Sequence, residues 1–287
     1  MRRKKYLILF LVALAIVGGC NPGGTEENDN TLTVTILPQK YITEKIAGDL
    51  YDINVMIPPG GNPATYEPTP RQIEKLNQSI AYLKIGHIAF EKAWMDKIKS
   101  SAPDLEIYDS SKGLDFISND GRIDPHIWTS PEMVAEMAKN LKDILTELTP
   151  EKEKIFAENL KKFEKEIHEM QRTIHQKLEP YSEKSFLIYH PALAYYCREF
   201  DLKQIPIEAE GKEPSASYMQ KIIEKSKRKN IRAIFIQKQF DRKKALTIAQ
   251  ELDAEVIQIN PLAENWKESI MSITNKIAES FKVNNHE

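Results

Sequence analysis

Residues 149–178 read TPEKEKIFAENLKKFEKEIHEMQRTIHQKL, and the architecture of the whole chain turns on them. After Pro150 no glycine or proline interrupts the run. Phe156, Leu160, Phe163, Ile167, Met170, Ile174 and Leu178 recur three or four residues apart, the spacing of one face of an α-helix. At 1.5 Å per residue such a helix is about 45 Å long, more than a small domain is wide. A free coiled coil would carry a charge code beside its apolar seam. About four heptads without one favour a strut shared by two lobes.

On both sides of the strut, strand and helix patterns alternate. TLTVTIL (31–37), DINVMI (52–57), IAYLKI (80–85) and EIYD (106–109) read as strands on the amino-terminal side. Ile42, Ile46 and Leu50 mark a helix face between the first two. Thr69-Pro70-Arg71-Gln72 supplies an N-cap, a proline at the first helical position and a capping-box glutamine. Met133, Val134, Met137, Leu141, Ile144 and Leu145 share one side of a helix that starts after Ser130-Pro131. Beyond Pro180, SFLIY (185–189), QIPI (204–207), AIFI (233–236) and EVIQI (255–259) continue the rhythm without a repeat of fixed period. Strands separated by helices favour parallel sheets. The expected fold is α/β: two lobes, 31–148 and 181–287, with mostly parallel sheets flanked by helices. The linking helix, 149–180, joins them, and the binding cleft lies between them.

The chain has 287 residues and a formal charge of −2, which gives nucleic acid and anionic membrane surfaces no reason to bind. Its start is a different material. MRRKK is basic and YLILFLVALAIV is apolar over twelve residues. That is short of the ~20 needed to span a bilayer, so residues 1–19 read as an export signal. Val17-Gly18-Gly19-Cys20 is similar to the lipobox of bacterial lipoproteins, which implies cleavage before Cys20 and diacylation of its thiol. Loss of Arg2, Arg3, Lys4 and Lys5 takes the charge from −2 to −6. Residues 20–30 then read as a flexible tether from a membrane anchor, placing the protein in the cell envelope. Cys197 is the one cysteine left, so no intramolecular disulfide is possible; beside Tyr195 and Tyr196 it reads as packing.

Open parallel sheets bind ligands beyond the carboxyl ends of their strands. That rule selects the proline loop PPGGNPATYEPTP (58–70), Gly86-His87, His190, Glu208, Gln237 and Asn260. A further histidine, His126, lies in DPHIWTSP, on a short loop between Asp-Pro and a helix start. Such a loop fixes its direction in advance, as a metal ligand requires. Two imidazoles lean towards zinc, which usually takes four nitrogen, sulfur or oxygen ligands. The remaining candidates are Glu67 and Tyr66 of the proline loop, His87, Glu208 or Glu210, and the amide oxygen of Asn260. His168 and His175 read as solvated residues on the strut. Trp94 and Trp266 read as packing, and Trp128 as a wall of the cleft.

The segments PPGGNPATYEPTP, IGHIAFEKAW, DPHIWTSP, YHPALAYYCREFDL, EPSASYMQKIIEKSKRKNIRAIF and QINPL, with the long helix, carry a resemblance. The chain resembles the zinc- and manganese-binding solute-binding lipoproteins of ABC transporters, over essentially its whole mature length. The resemblance implies a metal held in the cleft by ligands from four places. His126 and His190 match two of them. The other two fall on Ala64, which has no donor atom, and on Asn260, which has an uncharged one; a further acidic position is Gln237. It also implies a monomeric, lipid-anchored receptor that captures a divalent cation, zinc or else manganese, and delivers it to an ABC permease without catalysis. The alternative is the same fold binding a metal chelate or other small ligand, which Ala64 and Asn260 motivate. An enzyme is disfavoured, because the chain has no His-Glu-x-x-His helix, Gly-x-Ser-x-Gly elbow or glycine-rich phosphate loop. A lipoprotein that only adheres to a surface is a further possibility. The geometric expectation is that the imidazoles of His126 and His190 meet across the cleft, within ~8 Å of each other.

Overall fold

A computed structural model describes residues 30–119, 121–181, 184–208 and 215–283. The expected signal segment, Cys20, the tether up to residue 29 and Glu210 lie outside the described residues. The first lobe runs β1 (Thr31–Val34), α1 (Leu37–Ala47), β2 (Asp52–Val55), α2 (Pro70–Asn77), β3 (Ala81–Lys84), α3 (Ala89–Ser101) and β4 (Glu106–Asp109). A short antiparallel pair follows, β5 (Ser118–Asn119) with β6 (Arg122–Ile123), then α4 (Pro131–Leu148) and the long helix α5 (Glu153–Leu178). The second lobe runs β7 (Ser185–Ile188), α6 (Ala194–Glu199), β8 (Lys203–Pro206), α7 (Ala216–Arg228), β9 (Ala233–Gln237), α8 (Arg242–Leu252), β10 (Glu255–Ile259) and α9 (Trp266–Val283).

Both four-stranded sheets are wholly parallel, ordered β2-β1-β3-β4 and β10-β9-β7-β8. In each, the first strand of the lobe lies between the second and the third. A chain with no repeating sequence therefore repeats its topology. Strand order reverses beside β1 and beside β7, and such a switch point opens a crevice at the carboxyl ends of the strands.

Regular α-helix begins at Glu153, later than the start of the expected linking helix, 149–180. Thr149 is non-helical (φ −144°, ψ 77°), and Pro150–Lys152 form a single 3₁₀ turn. The 26 residues that remain span about 39 Å. Phe156, Phe163, Ile167, Met170, Ile174 and Leu178 are buried, whereas Leu160 is half-buried. α1, α4 and α9 pack on this stripe. Trp266, at the start of α9, meets Tyr41 of α1 and Phe163 of α5, each with centroids 6.2 Å away. One hydrophobic core thus runs from the first sheet through the strut to the inner face of the second, where Phe186 and Ile188 point. Leu187, between them in β7, points to the opposite face and packs with Ile234, Ile236 and Ile248 in a smaller core. The strut is cemented to both lobes, so large hinge motions have no soft layer to use.

The capping box at Thr69 forms as the sequence indicates. The Thr69 hydroxyl accepts from the Gln72 N–H, and the Gln72 side chain accepts from the Thr69 N–H at 2.9 Å. Gln72 Nε2 also donates to Met56 O at 2.7 Å, tying the proline loop to the end of β2. Among the described residues, no helix is long and apolar enough to cross a membrane.

Candidate metal centre

His126 is aimed by its own turn. Asp124 Oδ1 accepts the His126 backbone N–H at 2.9 Å and stands 2.7 Å from the ring Nδ1. An ionised carboxylate only accepts, so the ring proton sits on Nδ1 and Nε2 keeps a bare lone pair. His190 follows β7 and is clamped from both neighbouring strands. From β9, Gln237 Nε2 donates to His190 O at 2.6 Å, and Gln237 Oε1 accepts the His190 N–H at 3.3 Å. From the end of β8, Glu208 Oε1 lies 3.3 Å from His190 Nδ1. The same reasoning leaves His190 Nε2 bare.

The two Nε2 atoms are 3.2 Å apart. Two lone pairs facing at that distance repel unless a cation lies between them. Two nitrogens at zinc bond lengths of about 2.0–2.1 Å in a tetrahedron would be about 3.3 Å apart, so the pair is spaced as one edge of such a site. A carboxylate behind each imidazole orients the ring, the usual support of a metal-binding histidine. Burial pushes the Asp124 carboxyl up, but the hydrogen bonds from the His126 ring and backbone outweigh it and hold the group below its ordinary value. Trp128 lies against His126, with centroids 5.2 Å apart, and Phe240 stacks on His190 at 5.2 Å.

The imidazoles open on a cavity of about 360 Å³, whose lining includes Ala64, His87, Lys92, Arg122, Trp128 and Phe240. Ala64 stands there without a donor atom. Its N–H donates to Asn62 Oδ1 at 2.9 Å, and Phe90 N–H donates to Pro63 O at 3.0 Å, pinning the proline loop to the start of α3. His87 lines the cavity from a left-handed backbone (φ 61°), with its ring edge-on to Phe116 at 4.6 Å. Burial, then nearby Lys92, lowers its pKa, with Asp109 opposing. Gly86 before it has φ 83°, and a side chain there would collide with the Ser111 hydroxyl.

The other sequence candidates stand elsewhere. Glu208 is buried behind His190 and is absent from the described cavity lining. Glu67 is exposed and also absent from that lining. Asn260 borders a separate surface groove, its Oδ1 3.5 Å from Gln239 Nε2. The Tyr66 hydroxyl donates to Gln72 Oε1 at 2.9 Å. Among the described residues, no three His, Cys, Asp or Glu side chains cluster closely enough to hold an ion. His168 and His175 are exposed on α5, though the His175 ring rests on Phe200 at 4.9 Å. Cys197 is buried, and burial pushes its thiol up to about 12. Trp128 and Trp266 are buried; Trp94 is only half-buried, under Lys97. Sequence reasoning missed Asp124 and Phe240. Asp124 had a signal, since an aspartate two residues before a histidine is placed to close an Asx turn on it.

The family model described as zinc-uptake complex component A, periplasmic, matches residues 32–282. The high-affinity zinc uptake system protein ZnuA of Bacillus subtilis (strain 168) is 24% identical over 292 residues, 92% of this chain and 91% of its own. The manganese ABC transporter substrate-binding lipoprotein PsaA of Streptococcus anginosus is 25% identical over 285 residues, 91% of each chain. A crystal structure of ZnuA superposes with a TM-score of 0.84 at 36% identity, covering 88% of this chain and 98% of the other.

Proposed function

The chain belongs to the family of periplasmic zinc-uptake component A proteins, and on that premise we propose that it captures a divalent cation between His126 and His190 and delivers it to an ABC permease. One observation carries the reading: the Nε2 atoms of two imidazoles face each other 3.2 Å apart, and each ring has a carboxylate at its Nδ1. Nitrogen donors favour zinc over manganese, which prefers carboxylates and water. Relatives named for either metal support the coarser statement of metal capture.

In this reading Asp124 and Glu208 orient the ligands rather than bind the ion, His87 is a wall of the cleft, and Glu67 and Asn260 take no part. Residues 31–148 and 181–287 form the lobes on the linking helix 149–180. Residues 1–19 are the removed signal, Cys20 carries the lipid, and residues 20–30 are the tether. The receptor works as a monomer and has no turnover of its own.

The test is metal analysis of mature protein purified without chelator, comparing the wild type with His126→Ala and His190→Ala. The expected result is about one zinc per chain in the wild type and little in either variant. Equal metal in all three would remove both residues from the site.

A further inference from the structure

Resting on that capture reading, we infer that Gln237 is a positioning residue: its side-chain amide holds the peptide group of His190, and through it the imidazole, so that Gln237 governs how fast the ion leaves without binding the ion itself.

Gln237 ends β9, one of the strand ends where a ligand group is expected, and it is 2% exposed on the cavity wall. Beside it, Tyr189 still belongs to the sheet, donating its N–H to Phe235 O at 2.7 Å. At His190 the chain turns away, and the Gln237 amide takes the place of the strand. It does what a peptide group does in a ladder: Oε1 accepts the His190 N–H at 3.3 Å, and Nε2 donates to His190 O at 2.6 Å. An ionised carboxylate only accepts, so it would set an oxygen against that carbonyl. A hydrocarbon would make neither bond.

The clamp acts on a backbone that has little other freedom. His190 precedes Pro191, which keeps it out of helical geometry. Its carbonyl also accepts the Ala192 N–H at 2.8 Å, so both oxygen lone pairs are engaged. The turn that begins at Gln237 then returns to the ring. Phe240 N–H donates to Gln237 O at 3.1 Å, and the Phe240 ring lies on the imidazole at 5.2 Å, tilted by 24°. Residues 237–240 thus grip His190 twice, by its peptide group and by its ring face. A shift of Nε2 by about 1 Å would amount to half a zinc–nitrogen bond of about 2.0–2.1 Å. Small freedom at the backbone is therefore costly at the ion.

The test compares mature wild type with Gln237→Leu, which keeps much of the bulk and deletes both hydrogen bonds, and with Ile236→Ala. Ile236 precedes Gln237 in β9 but packs into the smaller core on the opposite face, so its truncation weakens the same strand away from His190. In stopped-flow transfer to a chromophoric chelator, Gln237→Leu should release zinc at least about tenfold faster, the usual effect of losing a group that orients a metal ligand. Ile236→Ala should release it near the wild-type rate. In metal-free protein, nitrogen-edited NMR should show the His190 ring signals moved or broadened in Gln237→Leu and those of His126 in place. Gln237→Asn is one methylene too short to span both groups; it should also release zinc faster, and it decides the matter if Gln237→Leu does not fold. A wild-type release rate, faster release with the His190 signals unmoved, or equal acceleration in Ile236→Ala would each overturn the inference and leave the capture reading standing. Gln237→Glu separates positioning from ligation. Zinc affinity at or below wild type is expected, whereas tightening by about tenfold or more would make this position a ligand and also overturn the inference. No zinc bound by the wild type would instead fell the capture reading, and this inference with it.

Discussion

Asp124→Asn is a small change with a large expected consequence. The amide keeps the shape but can present its NH₂ to His126 Nδ1, which would move the ring proton to Nε2 and block the metal. Loss of such a partner typically costs 10- to 100-fold in affinity, so zinc affinity should fall by about that factor in competition with a chromophoric chelator; an unchanged affinity would show that Asp124 does not set the tautomer. A second residue reads out in stability. Glu91 is buried at 3% exposure, with one oxygen accepting from Ile85 N–H at 2.8 Å and from the Thr35 hydroxyl, and the other unpartnered. Burial, against those hydrogen bonds, raises its pKa from 4.5 to about 7. Between those values the folded chain holds a proton that the unfolded chain has released, so stability falls as pH rises through the window, by on the order of 3 kcal/mol. Glu91→Gln should flatten the profile by that amount in urea melts at about pH 4.5 and about pH 7.5; parallel profiles for the two proteins would refute it. At this scale the sequence was legible where a residue sits at a strand end or in a constrained turn, as His126 and His190 do. It was silent on Phe240, three residues beyond β9, because a loop's return path is a tertiary property.

Elements were legible in their order and type and less so in their ends. Val34 ends β1 although TLTVTIL continues, because Pro38 launches α1 and Ile36 becomes its N-cap. The strut loses its first turn because Thr149, just before Pro150, is non-helical, and a residue before proline disfavours α geometry. What periodicity could not show is which helices share the strut. α9 does so through Trp266, whose Nε1 donates to Trp128 O at 2.6 Å while Trp128 Nε1 donates to Pro261 O at 3.0 Å. This exchange locks α9 to the segment that carries His126. Trp266→Phe keeps the apolar bulk and deletes one donor, leaving a buried carbonyl unpaired at a cost of about 1–3 kcal/mol. Chemical denaturation should show a loss of that size. A stability equal to wild type would mean that the carbonyl finds water instead.

Across the whole molecule, the loop that presents His126 is numbered with the first lobe but held by the second. The Tyr195 hydroxyl, on α6, donates to Asp124 O at 2.7 Å and accepts the Ile117 N–H at 3.0 Å. Burial pushes that phenol up to about 12, so it stays a donor over the physiological range. Ser130, at the start of α4, donates to Glu199 of the same short helix at 2.5 Å, and Gln171 of the strut donates to the other Glu199 oxygen at 2.8 Å. Both imidazoles therefore stand on second-lobe contacts. A small shift of the first sheet would carry Ala64, His87 and Lys92 with it and leave the histidine pair intact. Tyr195→Phe tests this division. It leaves Asp124 O and Ile117 N–H without their partner and frees the His126 turn, while touching no group that could bind the ion. Zinc affinity should fall about tenfold, chiefly through faster release, since changes at an existing site act mostly on the off-rate. Stopped-flow transfer of zinc to a chelator measures that rate directly. A release rate equal to wild type, in a variant destabilised by about 1–3 kcal/mol, would show that His126 keeps its aim from Asp124 alone and that the second lobe's grip matters only to folding.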